Sequence, residues 1–104
     1  MSLDVGLCHR VFEATITHNL QDMADAAGLY EPCWRPENLY ISRAGELIPL
    51  LKAGLIQLKA MDAATIAALT PGNLWGTHAD LVRFVEAYLA ACKDHPDAYI
   101  DVSR

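Results

Sequence analysis

The stretch "THADLVRFVEAYLAACK", Thr77 to Lys93, carries the clearest structural pattern in the chain. Thr77 is followed three residues later by Asp80, which is the spacing of a helix-capping box. Apolar residues then recur at helical spacing, at Leu81, Val82, Val85, Tyr88, Leu89 and Cys92. The stretch therefore predicts an amphipathic helix from His78 to Lys93, with one face buried in a core.

Two segments near opposite ends of the chain alternate apolar and polar residues, as strands do. They are Arg10–His18 and Ala98–Ser103. With no other strand predicted, the two can pair only with each other or with a second copy of the chain. A two-stranded sheet is marginal unless helices cover one face, and its open edges invite a homodimer.

The segment after the first strand predicts a short helix and then a stiff loop. Asn19 is placed as the N-cap of a helix over Leu20–Ala27, and Gly28 as the residue that ends it. The following "YEPCWRPEN", residues 30–38, contains two prolines that favour extended backbone before them. We predict a rigid connection there.

Two more helices are predicted before the long one. Ser42 is a plausible cap for a helix over Arg43–Ala60, and Asp62 for a short helix over Ala63–Leu69. Pro49 lies inside the first of these and should kink it or split it. The segments together predict an α+β fold: a mainly α-helical single domain, residues 1–104, whose short N- and C-terminal strands pair in a small sheet.

Composition narrows the classes of function. The chain has 104 residues, of which 53% are hydrophobic and 20% are charged, so it can bury a core of its own. Its net charge is −5, and its eight basic residues are dispersed. We therefore expect no nucleic-acid partner and no membrane partner, because both contacts depend on clustered positive charge. No apolar stretch is long enough to span a bilayer.

The cysteines and histidines show no metal-binding spacing. Cys8, Cys33 and Cys92 are an odd number without a C-x-x-C pair, which is typical of reduced thiols in the cytoplasm. Zinc sites normally show paired ligands at short spacing, so we predict no metal and no cofactor. There is no G-x-S-x-G motif and no glycine-rich phosphate loop, so no catalytic residue is assigned and an enzyme is the less favoured interpretation.

Two loops rich in aromatic and polar residues are the candidate binding site. The candidate ligand-binding residues are Trp34, Arg35, Glu37, Asn73, Trp75, His78 and His18. In the functional interpretation the two tryptophans offer flat surfaces and Arg35 holds an anion. In the structural alternative each tryptophan covers a helix end and Arg35 pairs with a neighbouring carboxylate or carbonyl.

Two other side chains have a chemical and a structural interpretation. His18 stands where a strand turns into a helix and could act as a general base, or it could be a structural or exposed residue. Cys33 lies two residues before Arg35, and a neighbouring cation could lower its pKa, but no histidine is close in sequence to act as a base.

Several quoted pieces of the chain resemble a family of small uncharacterised bacterial proteins of phages, prophages and mobile elements. They are "ITHNL" at Ile16, "MADAAGLY" at Met23, "WRPENL" at Trp34, "AGELIPLLKAGL" at Ala44, "NLWG" at Asn73, "LVRFVEAYLAACKDHPDA" at Leu81 and the final "VSR". The family pattern has Leu where Cys33 stands and Gly where Leu74 stands. The resemblance implies a phage-related setting and a cytoplasmic location, and it implies no mechanism.

Two functions follow as hypotheses. The first is a small cytoplasmic binding or interaction protein, with a homodimer or another protein as partner, acting on a host or phage component. The alternative is a protein that binds a small anionic or ring-bearing ligand through the Trp34, Arg35 and Trp75 loops, or an enzyme with only weak sequence signals that uses the same loops.

Overall fold

A small antiparallel sheet packed on helices makes up the fold. The computed structural model describes residues 2–7, 11–72 and 76–104. Its strands are β1 (Ser2–Leu7), β2 (Phe12–Thr17) and β3 (Ile100–Ser103). Its helices are α1 (Gln21–Ala26), α2 (Tyr30–Trp34), α3 (Ala44–Ala60), α4 (Ala63–Leu69) and α5 (His78–Asp94), with 3-10 turns at His18–Leu20 and Pro36–Leu39. The predicted α+β class is confirmed.

The order of strands in the sheet differs from the prediction. The order is β2-β1-β3, with Leu3 paired to Ile16 and Leu7 paired to Ile100. The two predicted strands therefore do not pair with each other, and the expectation that they had no other partner within the chain was wrong. The first residues, "SLDVGL", form a third strand between them because Leu3, Val5 and Leu7 alternate with small or polar residues.

One face of the sheet is buried and the other meets solvent, as is common for antiparallel sheets. Leu3, Val5 and Leu7 are buried on the inner face, where α5 packs against β2. The Phe12 ring stacks on Tyr88 with ring centres 5.9 Å apart. The helix α3 packs in turn on α5, so the core lies between the sheet and these two long helices.

The strongest predicted helix and two caps are confirmed. The hydroxyl of Thr77 accepts from the Asp80 N–H at 3.1 Å, and an Asp80 carboxylate oxygen accepts from the Thr77 N–H at 3.0 Å. This capping box starts α5 one residue later, at His78. Asp62 likewise accepts from the Thr65 N–H at 2.7 Å and starts α4.

The first short helix begins differently from the prediction. Asn19 is not its N-cap, because it lies inside the 3-10 turn His18–Leu20. Thr17 is the N-cap of that turn, and its hydroxyl accepts from the Asn19 N–H at 3.3 Å. The predicted end is confirmed. Gly28 has φ +75°, and the Leu29 N–H donates to the Ala24 carbonyl at 2.8 Å, which is the Schellman geometry.

Residues 30–38, predicted as an irregular loop, are mostly helical. They form α2 and the start of the next 3-10 turn, because Pro32 and Pro36 both lie where a helix needs no N–H donor. The segment nevertheless packs into the core, since Cys33 and Trp34 are buried.

Helix α3 differs from the prediction at its start. Ser42 does not cap it; instead the Glu46 carboxylate accepts from the N–H groups of Ser42 and Arg43, at 3.3 and 3.0 Å. Of the two outcomes predicted for Pro49, a kink or a split, the split does not occur, because the helix is continuous over Ala44–Ala60. Within the described ranges, no helix has the length and apolar character needed to cross a membrane.

Candidate functional site

The structure joins two of the predicted site residues, His18 and Trp34. The Trp34 indole N–H donates to Nδ1 of His18 at 2.9 Å, and the two rings lie 6.3 Å apart. Trp34 is 1% exposed, and its other face stacks on Tyr30. His18 is half-buried at the turn after β2. The 3-10 turn therefore carries His18 onto the edge of the Trp34 ring.

This contact assigns the tautomer of His18. An indole nitrogen only donates, so Nδ1 must accept and carries no proton. The neutral ring then holds its proton on Nε2. Gln21 also places its side-chain amide 3.0 Å from Nδ1. His18 is thus fixed by Trp34 and Gln21 and offers Nε2–H as its remaining polar atom.

Arg104 joins the same end of the sheet. Its guanidinium donates to the Trp34 carbonyl oxygen at 2.7 Å and forms an ion pair with Glu37 at 3.0 Å. Trp34 therefore contacts His18 through its indole and Arg104 through its backbone. Glu37, predicted as a site residue, is brought next to this cluster through Arg104.

A broad groove of about 1360 Å³ lies beside this cluster and is lined by residues 14–17 of the edge strand β2 and by the start of α5. One wall is formed by Ala14, Thr15 and Ile16 of β2, and the facing wall by Asp80, Arg83 and Phe84 of α5. Ser2, His18 and Arg104 lie at its end. We call this the β2–α5 groove.

The edge of β2 that faces the groove has unused hydrogen-bonding capacity. Within the part of the chain that the structure describes, the ladder partner of β2 is β1 alone. Alternate residues of such an edge strand point their N–H and C=O groups away from the sheet. The groove thus combines a row of backbone donors and acceptors with the apolar ring of Phe84 and the cations Arg83 and Arg104.

The electrostatics of the groove differ from those of the rest of the chain. Its lining carries Arg83 and Arg104 against the single carboxylate of Asp80, although the whole chain has a net charge of −5. Arg83 and Asp80 form an exposed ion pair one helical turn apart. The outer face of the sheet is the opposite in sign, with Asp4, Glu13 and Asp101 close together.

The remaining predicted site residues are placed as follows. Arg35 is half-buried beside the Tyr30 hydroxyl, which raises the pKa of its guanidinium. The His78 ring lies 2.7 Å from the Leu58 carbonyl through Nε2, so His78 ties α5 to the end of α3. Neither of them lines the β2–α5 groove. Asn73 and Trp75 lie outside the described residues.

The cysteine thiols that the structure describes are buried. Burial raises the pKa of Cys33 to about 12, with a smaller contribution from Cys92, and burial raises the pKa of Cys92 to about 12. The hypothesis of a lowered pKa at Cys33 is therefore wrong, because the thiol points into the core rather than toward Arg35. No cluster of three metal-binding side chains occurs in residues 2–7, 11–72 and 76–104.

Of the residues that line the groove, His18 is the one predicted as a site residue, and the polar residues that the sequence did not indicate include Ser2, Arg83 and Arg104. Arg83 follows Asp80 by three positions, a spacing that is typical of an ion pair on an exposed helix face. That spacing alone does not indicate a binding site. Arg104 and Ser2 come together only because β1 lies between β2 and β3. A search for relatives found no matching protein-family model, no matching curated protein and no matching solved structure.

Proposed function

We propose that this protein is an interaction protein that docks an extended protein segment along the β2–α5 groove. The observation that carries the proposal is that β2 is an edge strand of the described sheet and that its residues 14–17 line the groove. Adding a strand to an open sheet edge is a common way to recognise a protein segment, since the backbone supplies affinity and the neighbouring side chains supply selectivity.

The size and shape of the groove favour a protein segment over a small molecule. Small-molecule sites are typically enclosed and measure about 300–1,000 Å³. The β2–α5 groove measures about 1360 Å³ and follows a strand of six residues. A strand of this length spans roughly 20 Å, which suits an extended segment of similar length.

The proposed setting is the cytoplasm of a bacterium, with a host or phage component as partner. It is taken from the resemblance of the quoted segments to proteins of phages and prophages. The dispersed basic residues and the net charge of −5 support a protein partner over nucleic acid.

A small anionic ligand is the second candidate, and one observation favours it. The end of the groove gathers Nε2–H of His18 and the Arg104 guanidinium, both held in place by Trp34. These are donors suited to a carboxylate or phosphate. Native mass spectrometry of the purified protein tests it: an added mass that disappears on denaturation would favour this candidate.

The main proposal is tested by altering the strand edge. Thr15 lies at the middle of β2 with its side chain on the exposed face, where its hydroxyl donates to Asp4 at 2.6 Å. T15K places an ammonium group on the edge, and lysine on edge strands opposes the addition of another strand. The lysine ammonium group can pair with Asp4 in place of the threonine hydroxyl, so we expect the T15K variant to fold.

The matched control is D101K, on the same exposed face but on β3. In cross-linking and affinity purification from bacterial lysate, we expect the wild type and D101K to retain the same bound protein and T15K to lose it. Equal retention by all three proteins would rule out the β2 edge as the docking surface.

A further inference from the structure

We infer that the segment docked on β2 is the β2 strand of a second copy of this chain, so that two three-stranded sheets join into one. This inference rests on the proposed function, because it names the occupant of the same edge. It commits to a homodimer with a two-fold axis across the groove, in which the same surface of each copy contacts itself.

The two edges of the sheet differ, and the difference selects β2. The edge of β3 is covered at its start by the chain itself: the Ile100 N–H donates to the Ser42 carbonyl at 2.9 Å, and Arg43 pairs with Tyr99 in an isolated bridge. The Arg43 guanidinium also lies 4.3 Å over the Tyr99 ring. Such covering protects an edge strand from pairing with another molecule. In the described residues, β2 has no such cover.

The sequence of β2, "FEATIT", is compatible with pairing to itself. In an antiparallel pair centred on Thr15, Glu13 of one copy lies opposite Thr17 of the other, and Ala14 lies opposite Ile16. The proposed dimer uses this register, which places apolar residues opposite apolar residues, sets Thr15 opposite Thr15 and avoids two glutamates facing each other, which would be unfavourable.

The facing wall of the groove is also self-complementary in charge. Asp80 and Arg83 lie one turn apart on α5, both at the groove and both accessible, with side chains 40% and 69% exposed. Each copy therefore presents one carboxylate and one guanidinium at the groove, so that a two-fold axis allows opposite charges to face each other. An interface between identical surfaces is compatible with such a mixed pair of charges, whereas charges of a single sign would repel each other across the axis.

The dimer has a consequence for any other partner. A host or phage protein that uses the β2 edge must compete with the second copy, and its apparent affinity falls as the dimer becomes more stable. The homodimer and the second partner would then be alternative states of one surface.

The experiment is sedimentation equilibrium of the wild-type protein over a wide concentration range, with native mass spectrometry as a second readout. We expect a dimer whose dissociation constant rises at least about tenfold in T15K, because the substitution sets two ammonium groups against each other at the centre of the interface. T15V and D101K should dimerise like the wild type. T15V separates the loss of the Thr15–Asp4 hydrogen bond from the effect on pairing.

Each outcome separates this inference from the proposed function. A wild-type protein that stays monomeric at every concentration overturns the dimer, and loss of a captured protein by T15K alone would then still support the docking edge. A dimer that T15K leaves unchanged places the interface elsewhere and overturns the inference. Circular dichroism of T15K confirms that a lost dimer does not reflect a lost fold.

Discussion

The indole N–H of Trp34 donates to Nδ1 of His18 across 2.9 Å, and this bond links the α2 segment to the end of β2. Trp34 is buried, so its N–H has no water to replace a lost acceptor. We expect H18L to lower the free energy of unfolding by about 1–3 kcal/mol, the usual cost of leaving a buried polar group without a partner.

The matched variant is H18N, whose side-chain oxygen can accept in place of Nδ1. Urea denaturation followed by circular dichroism should show that H18N retains most of the stability lost in H18L. Equal stability of the wild type and H18L would mean that the bond contributes nothing to the fold.

Gly54 should resist substitution although it lies in the middle of a helix. A Cβ atom there would lie 2.2 Å from Cδ2 of Leu29, which is fully buried. We expect G54A to destabilise the protein by about 1–3 kcal/mol from overpacking, in spite of the gain of about 1 kcal/mol in helix propensity.

A double-mutant cycle with L29A checks the cause of that loss. Removing the Leu29 side chain opens space for the new methyl group, so G54A should cost less in the L29A background. Additive effects of the two substitutions would show that the contact is not the source of the loss.

Tyr88 offers a substitution that should stabilise the protein. Its ring is buried between Phe12 and Phe84, and its hydroxyl has no hydrogen-bond partner among the described residues. Burial also raises the pKa of the hydroxyl, and the nearby Cys33 and Cys92 raise this pKa by smaller amounts. Y88F removes the unpaired group and should raise the free energy of unfolding by up to about 1–3 kcal/mol.

The control is Y99F, which removes a hydroxyl that accepts from Arg43 at 2.8 Å on the surface. It should lower stability slightly, by no more than about 0.5 kcal/mol. Thermal unfolding of both variants gives the comparison, and a loss of stability in Y88F would indicate an unseen partner for the hydroxyl.

Asp62 gives a pH dependence with a defined sign. The Thr65 backbone N–H lowers the pKa of this carboxyl, with a further contribution from the Thr65 side chain. A lowered folded-state pKa contributes stability above the unfolded-state value of about 3.9, and this contribution is lost as the pH falls through the folded-state pKa. D62N keeps a capping oxygen but does not titrate.

Urea unfolding at several pH values between about 2 and 6 should therefore show a smaller acid-induced loss in D62N than in the wild type. D25N, which removes an exposed carboxylate from α1, controls for the change in net charge. If the free energies of unfolding of D62N and the wild type fall in parallel over this pH range, Asp62 does not contribute to the acid-induced loss of stability.

Cys33 and Cys92 should be inert toward thiol reagents in the native protein. Burial raises the pKa of each to about 12, so almost no thiolate is present near neutral pH and the reagent cannot reach it. Alkylation followed by peptide mapping should modify both residues only after denaturation. Modification of Cys33 in the folded protein within minutes would contradict its place in the core.

Features set by neighbours in sequence could be predicted well. The capping box of Thr77 and Asp80, the cap at Asp62 and the stop at Gly28 depend on contacts within a few residues. The class of fold followed from the same local patterns, because each pattern determines an element without reference to the rest of the chain.

Features set by distant neighbours could not be predicted. No strand was predicted over Ser2–Leu7, since its six residues alternate only briefly and its strand state depends on β2 and β3 beside it. His18 and Trp34 were both candidates, yet their contact joins residues sixteen positions apart and has no sequence signature. Asn19 was misassigned because the hydroxyl of the preceding Thr17 competes successfully for the same turn.

The central position of β1 also affects how the protein forms during synthesis. β1 and β2 can meet as soon as both have left the ribosome, but Leu7 must wait for Ile100 before its other side is paired. The nascent hairpin thus exposes an unpaired strand while nearly the whole chain is being translated. Such late, long-range closure slows folding and favours association between incomplete chains. Shortening the last strand should therefore reduce the yield of folded protein through aggregation before it affects any binding surface.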